Sequence, residues 1–146
     1  CQFVTTGLDI PGSPQDNLCP KAWNSIKKDF PRLPPIQMHL HKAIPIGAGL
    51  GGGSSDGAFA LSLLNQEFDL RLSAEKLADH ALQLGSDCPF FMLNKPCEAT
   101  GRGEFMKSIS LDLTGYFVVL VTPGIHISTG WAFSQLHPTQ KEKSLE

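Results

Sequence analysis

The strongest constraint on this chain is the run Pro45-Ile46-Gly47-Ala48-Gly49-Leu50-Gly51-Gly52-Gly53-Ser54-Ser55-Asp56, with five glycines in seven positions before the apolar Ala58-Phe59-Ala60-Leu61. Glycine accepts positive φ and lets another group come close to the backbone. Ser54, Ser55 and Asp56 are helix-capping residue types, so the pattern predicts a helix starting among them and running to about Asn65. The first N–H groups of such a helix are unpaired and lie at its positive dipole end, a ready site for an anion such as phosphate. A flexible linker does not fit, because it has no need of proline, leucine and a cap in fixed order.

Two common nucleotide patterns fail. A P-loop ends in Gly-Lys-Ser/Thr, whereas Ser54 follows Gly53 and the loop holds no lysine. Gly47 to Gly52 matches G-x-G-x-x-G, but so glycine-rich a stretch matches easily. That motif also needs a buried strand before it and an acidic residue at the end of the next strand. Gln37–Lys42 instead alternates polar and apolar residues, and Asp69 falls in a polar connection.

The order Pro45, Gly49-Leu50-Gly51 and Ser54-Ser55 resembles the phosphate loop of the GHMP kinases, small-metabolite kinases that include galactokinase, homoserine kinase and mevalonate kinase. Four further segments are similar in the same order: Gly7–Gly12 with Asp16-Asn17-Leu18 and Lys21-Ala22, Leu84–Phe91, Ala99–Glu104, and Pro123–Thr129. The resemblance implies an α+β chain with the ribosomal protein S5 domain 2-like fold of the family's N-terminal domain, truncated at its N-terminus. It implies ATP and Mg2+ as cofactors. Pro45, Ile46, Gly47, Ala48, Gly49, Leu50, Gly51, Gly52, Gly53, Ser54 and Ser55 would hold ATP, with Asn17, Leu18 and Lys42 along the adenine pocket. Asp87 would act as general base on the substrate hydroxyl, and Thr129 and Phe133 would lie near the substrate.

Within the family, the Gly-Gly-Gly-Ser-Ser-Asp form and Leu84–Phe91 are most similar to members that phosphorylate the 2-hydroxyl of a cytidine diphosphate-linked methylerythritol for isoprenoid precursors. A small-alcohol kinase of homoserine or mevalonate type is the alternative, as is a non-catalytic nucleotide-binding module. The family pairs the aspartate with a lysine near its N-terminus and holds the cytosine between aromatic and histidine groups. This chain does not contain that segment. It opens at Cys1 and runs at once into Phe3 and Val4, so residues 1–146 read as part of an ATP-binding domain, inactive alone and without the C-terminal domain.

Each position also has a plainer reading. Asn17 suits a helix cap, Lys42 a solvated strand-end charge, Phe133 a core aromatic, and Asp87 a turn after Gly85-Ser86. An unperturbed carboxylate with a pKa near 3.9 is ionised at neutral pH unless burial raises it. His39 and His41 share a strand face but lack a third ligand, so no metal site is expected there. His80, His126 and His137 belong to no constellation, and no Ser/His/Asp arrangement suggests a hydrolase.

At 146 residues the chain can form one domain with its own core. Its net charge of −2 comes without a basic patch, which argues against nucleic acid. No apolar stretch approaches the ~20 residues of a membrane span and no signal pattern opens the chain, and the cytoplasm is the expected location. Cys1, Cys19, Cys88 and Cys97 show no C-x-x-C spacing and read as reduced thiols. Surface left open by absent parts would offer a homodimer a route.

The remaining expectations are local. Gln2–Thr6 and Gln37–Lys42 should be strands. A helix should run from Asn17 with Ala22, Ile26 and Phe30 on one face, ended by Pro31. Gly57 should cost ~1 kcal/mol of helix propensity at most. Ser73 should cap a helix carrying Leu77, Ala81 and Leu84, closed by Gly85. Phe90–Met92 reads as strand or buried edge. Tyr116–Thr122 reads as an apolar strand stopped by Pro123-Gly124, with a helix carrying Trp131, Phe133 and Leu136 from Ser128 or Thr129.

Overall fold

The alternating residues of β1 (Gln2–Gly7) and β2 (Gln37–Lys42) pair in parallel, with Phe3 opposite Met38 and Thr5 opposite Leu40. A computed structural model describes residues 1–101, 103, 105–121, 127 and 129–136. Parallel neighbours need a crossover, and α1 (Leu18–Asp29) supplies it after a 3-10 turn at Pro14–Asp16. Asn17 caps α1, its side-chain oxygen accepting from Cys19 N–H at 2.9 Å. Ala22 and Ile26 are fully buried as the spacing requires, and Phe30 closes the helix.

The next helix, α2 (Gly52–Glu67), begins differently from expectation. Its N-cap is Gly51 and no side chain caps it. Ser54, Ser55 and Asp56 lie inside the helix, because the left-handed turn at Gly51 (φ 65°) starts it three residues early. Gly57 has a structural reason: a Cβ there would lie 2.7 Å from the Leu18 Cβ, so its absence lets α1 and α2 touch.

Ser73 caps α3 (Ala74–Leu84), accepting from Lys76 N–H at 3.3 Å, and Gly85 ends it. Phe90–Met92 is neither strand nor edge. These residues lie in α4 (Cys88–Leu93), where Pro89 in the first turn presets helical φ and outweighs the β preference of two phenylalanines. The hairpin β3 (Cys97–Thr100) and β4 (Phe105–Ser108) pairs antiparallel, and α5 spans Thr129–Ser134.

Tyr116–Val121 forms no strand. A strand must pair its backbone groups with a neighbour, and among the described residues none pairs with this segment; Phe117 is 94% exposed. Thr122, Pro123–His126, Ser128 and His137 lie outside the described residues, as do Arg102 and Glu104 of the Ala99–Glu104 turn.

The core joins Trp23 and Ile26 of α1, Ala58, Leu61 and Leu64 of α2, Ala81 of α3 and Cys88 of α4, with Phe3, Met38 and Leu40 of the sheet against it. Trp23 meets Phe68 at 6.2 Å between ring centroids. His80 is buried between α1 and α3, 2.7 Å from the Ser25 hydroxyl and 3.3 Å from Asp29. This Ser-His-Asp chain escaped the sequence reading because its members meet only through helix packing. The Ser25 hydroxyl is buried in that contact, so the chain ties helices together rather than meeting a substrate.

Helix α2 touches α1, α3 and α4, so its inner face should dominate stability. Leu61→Ala is expected to cost about 2–5 kcal/mol in urea unfolding. Leu63→Ala, at a residue 61% exposed, should change stability by less than about 1 kcal/mol.

Candidate active site

The glycine run leaves β2, turns back at Gly51 and becomes α2. Gly51 must be glycine for two reasons. Its φ of +65° is left-handed, and a Cβ would lie 2.8 Å from the Phe91 ring. Phe91 packs edge-on against Phe90 at 5.1 Å, so α4 presses against the point where the loop enters α2. With no side chain capping them, the first N–H groups of α2 are left to an outside acceptor.

Asp87 stands at the corner between α3 and α4. It occupies the N-cap position of α4, yet its carboxylate makes no capping bond. The side chain is exposed, and the Ser86 hydroxyl donates to it at 3.4 Å. Leu50, Gly51, Ser86, Asp87, Phe90 and Phe91 line one cavity of about 330 Å³, closed on the far side by Cys97, Ala99, Gly103 and Met106. The structure thus brings the end of the glycine loop and Asp87 together under the β3–β4 hairpin. A larger cavity of about 810 Å³ runs along β2 and α2 past Met38, Leu40, Phe59 and Leu63. It meets the end of the glycine run only at Asp56 and does not reach Asp87.

Side chains of the first α2 turns are anchored. The Ser54 hydroxyl lies near the Cys88 thiol, beside Asp87, and favours its ionised form against the burial that disfavours it. Asp56 accepts from Lys42 Nζ at 2.5 Å. Lys42 is 2% exposed, so it is not a solvated strand-end charge. The Ser55 hydroxyl has no partner among the described residues.

Leu18 and Lys42 meet the first two turns of α2, at Gly57 and Asp56. Leu18 abuts Gly57, and the Cys19 thiol next to it feels both Asp56 and Lys42. The Asn17 side chain caps α1, as its plainer reading held. Thr129 and Phe133 fall in α5, and their side chains lie outside the described residues. His39 and His41 face away from the core and share Thr6, whose hydroxyl lies 2.9 Å from one ring and 3.1 Å from the other. Neither Lys42–Asp56 nor Ser54–Cys88 could be found from sequence, because no local periodicity joins a strand end to a helix two turns on, or α2 to α4.

The family model described as "GHMP kinases N terminal domain" matches residues 17–95, a span that includes Asn17, Lys42, the whole glycine run and Asp87. The chain belongs to the GHMP kinases, and its α+β structure is that of their N-terminal domain. It is 48% identical over 141 residues to the 4-diphosphocytidyl-2-C-methyl-D-erythritol kinase of Bacteroides fragilis (strain YCH46), covering 97% of this chain and 51% of that one. The kinase of the same name from Cytophaga hutchinsonii is 42% identical over 144 residues, covering 98% and 53%. A crystal structure of 4-(cytidine 5'-diphospho)-2C-methyl-D-erythritol kinase matches with a TM-score of 0.63 at 34% identity, over 75% of this chain and 38% of that one. The chain spans about half the length of the curated relatives it matches. Among the described residues no helix is long and apolar enough to cross a membrane.

Burial sets the thiol chemistry around the site. Burial first, then Asp56, pushes the Cys19 thiol from 9.0 up to about 12 against the opposing pull of Lys42, and burial raises Cys88 as well. Both stay protonated in the folded chain where unfolded thiols ionise. The Cys19 contribution to stability is complete below pH 9 and is lost as pH rises toward about 12, and that of Cys88 is likewise lost as pH rises above the ordinary thiol range. Iodoacetamide at pH 8, followed by mass spectrometry, should label exposed Cys1 and half-buried Cys97 in the folded protein. Cys19 and Cys88 should react only on unfolding; early labelling of either would contradict their burial.

Proposed function

We propose that this chain is the greater part of the ATP-binding domain of a cytoplasmic kinase. The kinase transfers the γ-phosphate of ATP to the 2-hydroxyl of 4-diphosphocytidyl-2-C-methyl-D-erythritol, a step of non-mevalonate isoprenoid synthesis. The observation that best supports this is that Leu50, Gly51 and Asp87 line one cavity. The names and identities of the relatives supply the substrate.

Phosphoryl transfer is accelerated mainly by positioning and by offsetting charge. The backbone N–H groups from Gly49 to Ser55, with the positive end of α2 behind them, hold the phosphates. The Pro45–Ala48 segment, Asn17 and Leu18 form the nucleotide side of the site, with the buried Lys42 beneath it. Asp87 accepts the proton of the attacking hydroxyl. Its carboxylate is available because it does not cap α4. Leu50, Phe90, Phe91 and Met106 keep water from the transferring group. The resemblance to the family is what assigns Thr129 and Phe133 to the cytidine-bearing substrate.

Magnesium fits the chemistry of this donor set. Mg2+ takes hard oxygens, often one or two from protein with the rest from phosphates and water. The Ser55 hydroxyl, without a partner among the described residues, is the protein oxygen that would hold it, whereas Asp56 is occupied by Lys42. When bound, the ion offsets phosphate charge. The substrate is a small molecule; nucleic acid and membrane have no part in the reaction, and a homodimer is compatible with it.

The test uses the full-length protein with ATP, magnesium and 4-diphosphocytidyl-2-C-methyl-D-erythritol, followed by ADP release. Asp87→Asn should lower kcat about a hundred- to ten-thousand-fold while the KM for ATP changes little. Nucleotide binding without turnover of this alcohol would point to another alcohol of the homoserine or mevalonate kind, or to a binding module.

A further inference from the structure

Lys42 and Asp56 hold an ion pair that the proposed chemistry does not use. Lys42 is the last residue of β2, Asp56 stands in the second turn of α2, and the loop from Ala43 to Gly51 runs between them. The ammonium nitrogen and carboxylate oxygen are 2.5 Å apart, with the lysine side chain 2% and the aspartate 23% exposed. The ammonium lies 3.3 Å from where a Gly52 Cβ would stand, and Ile44 crowds the same point at 2.8 Å. The loop is therefore clasped at its two ends by a directional contact directly beneath its last glycines.

Burying a lysine this deeply is unusual. A strand-end lysine normally extends its head into water. An apolar pair of similar volume would often stabilise a fold as well as a buried ion pair does. An ion pair with a short hydrogen bond does fix a separation and an angle that apolar contact leaves loose.

We propose that Lys42 and Asp56 are positioning residues for the nucleotide. Their ion pair fixes the end of β2 against the first turns of α2, and so holds the N–H groups of Gly49 to Ser55 in register for a nucleoside triphosphate. The Lys42 ammonium is sealed from solvent and cannot reach the ligand, and the Asp56 carboxylate is engaged with it. The proposal rests on the reading of this loop as the ATP site.

The experiment compares wild type with Lys42→Met/Asp56→Leu in the full-length protein. It measures Tm and the Kd of a non-transferable ATP analogue with magnesium. The apolar double replacement leaves no unpaired buried charge, so Tm should stay near the wild-type value. The Kd should nevertheless rise about tenfold or more, with the KM for ATP rising and the KM for the alcohol unchanged. A retained Tm with unchanged Kd would overturn the proposal and leave the pair a purely structural role. Asp56→Asn, which keeps an acceptor for Lys42 without the charge, covers the case of an unfolded double variant. Its Kd should rise about threefold or more, and an unchanged value would overturn the proposal equally. Wild-type protein that fails to bind the analogue would instead overturn the ATP reading, and this proposal with it.

Discussion

The uncapped start of α2 is the constraint on which the rest of the structure depends. A side-chain cap is typically worth about 1 kcal/mol to a helix. Here the N-cap is a left-handed glycine, the first turn is glycine and serine, and no side chain takes up the free N–H groups. The helix holds because its inner face is buried on three sides, by α1 at Leu18 and Trp23, by α3 at Ala81 and by α4 at Cys88. Packing supplies the stability that the missing cap does not, and the donors are left for a ligand. A residue with a Cβ at Gly51 would strain the backbone and displace Phe91 at once.

Asp87 is set by the same packing. Cys88 and Pro89 are buried in the first turn of α4, which fixes the corner while its carboxylate faces the cavity. Helix α4 packs directly on α2, with Cys88 buried in the shared core. Loop and aspartate are thus two parts of one rigid arrangement rather than two mobile segments that must find each other. Such preorganisation is what phosphoryl transfer asks of a protein.

Much of this was legible in the sequence because it is local. The alternation in Gln37–Lys42, the caps at Asn17 and Ser73, and the spacing of Ala22 with Ile26 each depend on neighbours a few residues away. The glycine run and the Leu84–Phe91 segment carried the family. Where local preference met tertiary context, the reading failed. Phe90-Phe91-Met92 has strand-forming side chains, but a buried proline turn made it helix. Tyr116–Val121 has a strand's composition without a neighbour to pair with among the described residues. Ser54, Ser55 and Asp56 look like caps, yet a glycine three residues earlier could turn left-handed and took their place. The ties of Lys42 to Asp56 and of Ser25 to His80 and Asp29 join separate elements, and only the folded chain shows them.

The central claim is that the glycine loop and Asp87 form one phosphoryl-transfer site. The most direct measurement is a diffraction structure of the full-length protein with magnesium and a non-transferable ATP analogue. The expected result is a triphosphate on the backbone N–H groups between Gly49 and Ser55, its terminal phosphate facing Asp87 across the shared cavity. A triphosphate seated instead in the larger cavity beside β2, or turned away from Asp87, would contradict the account.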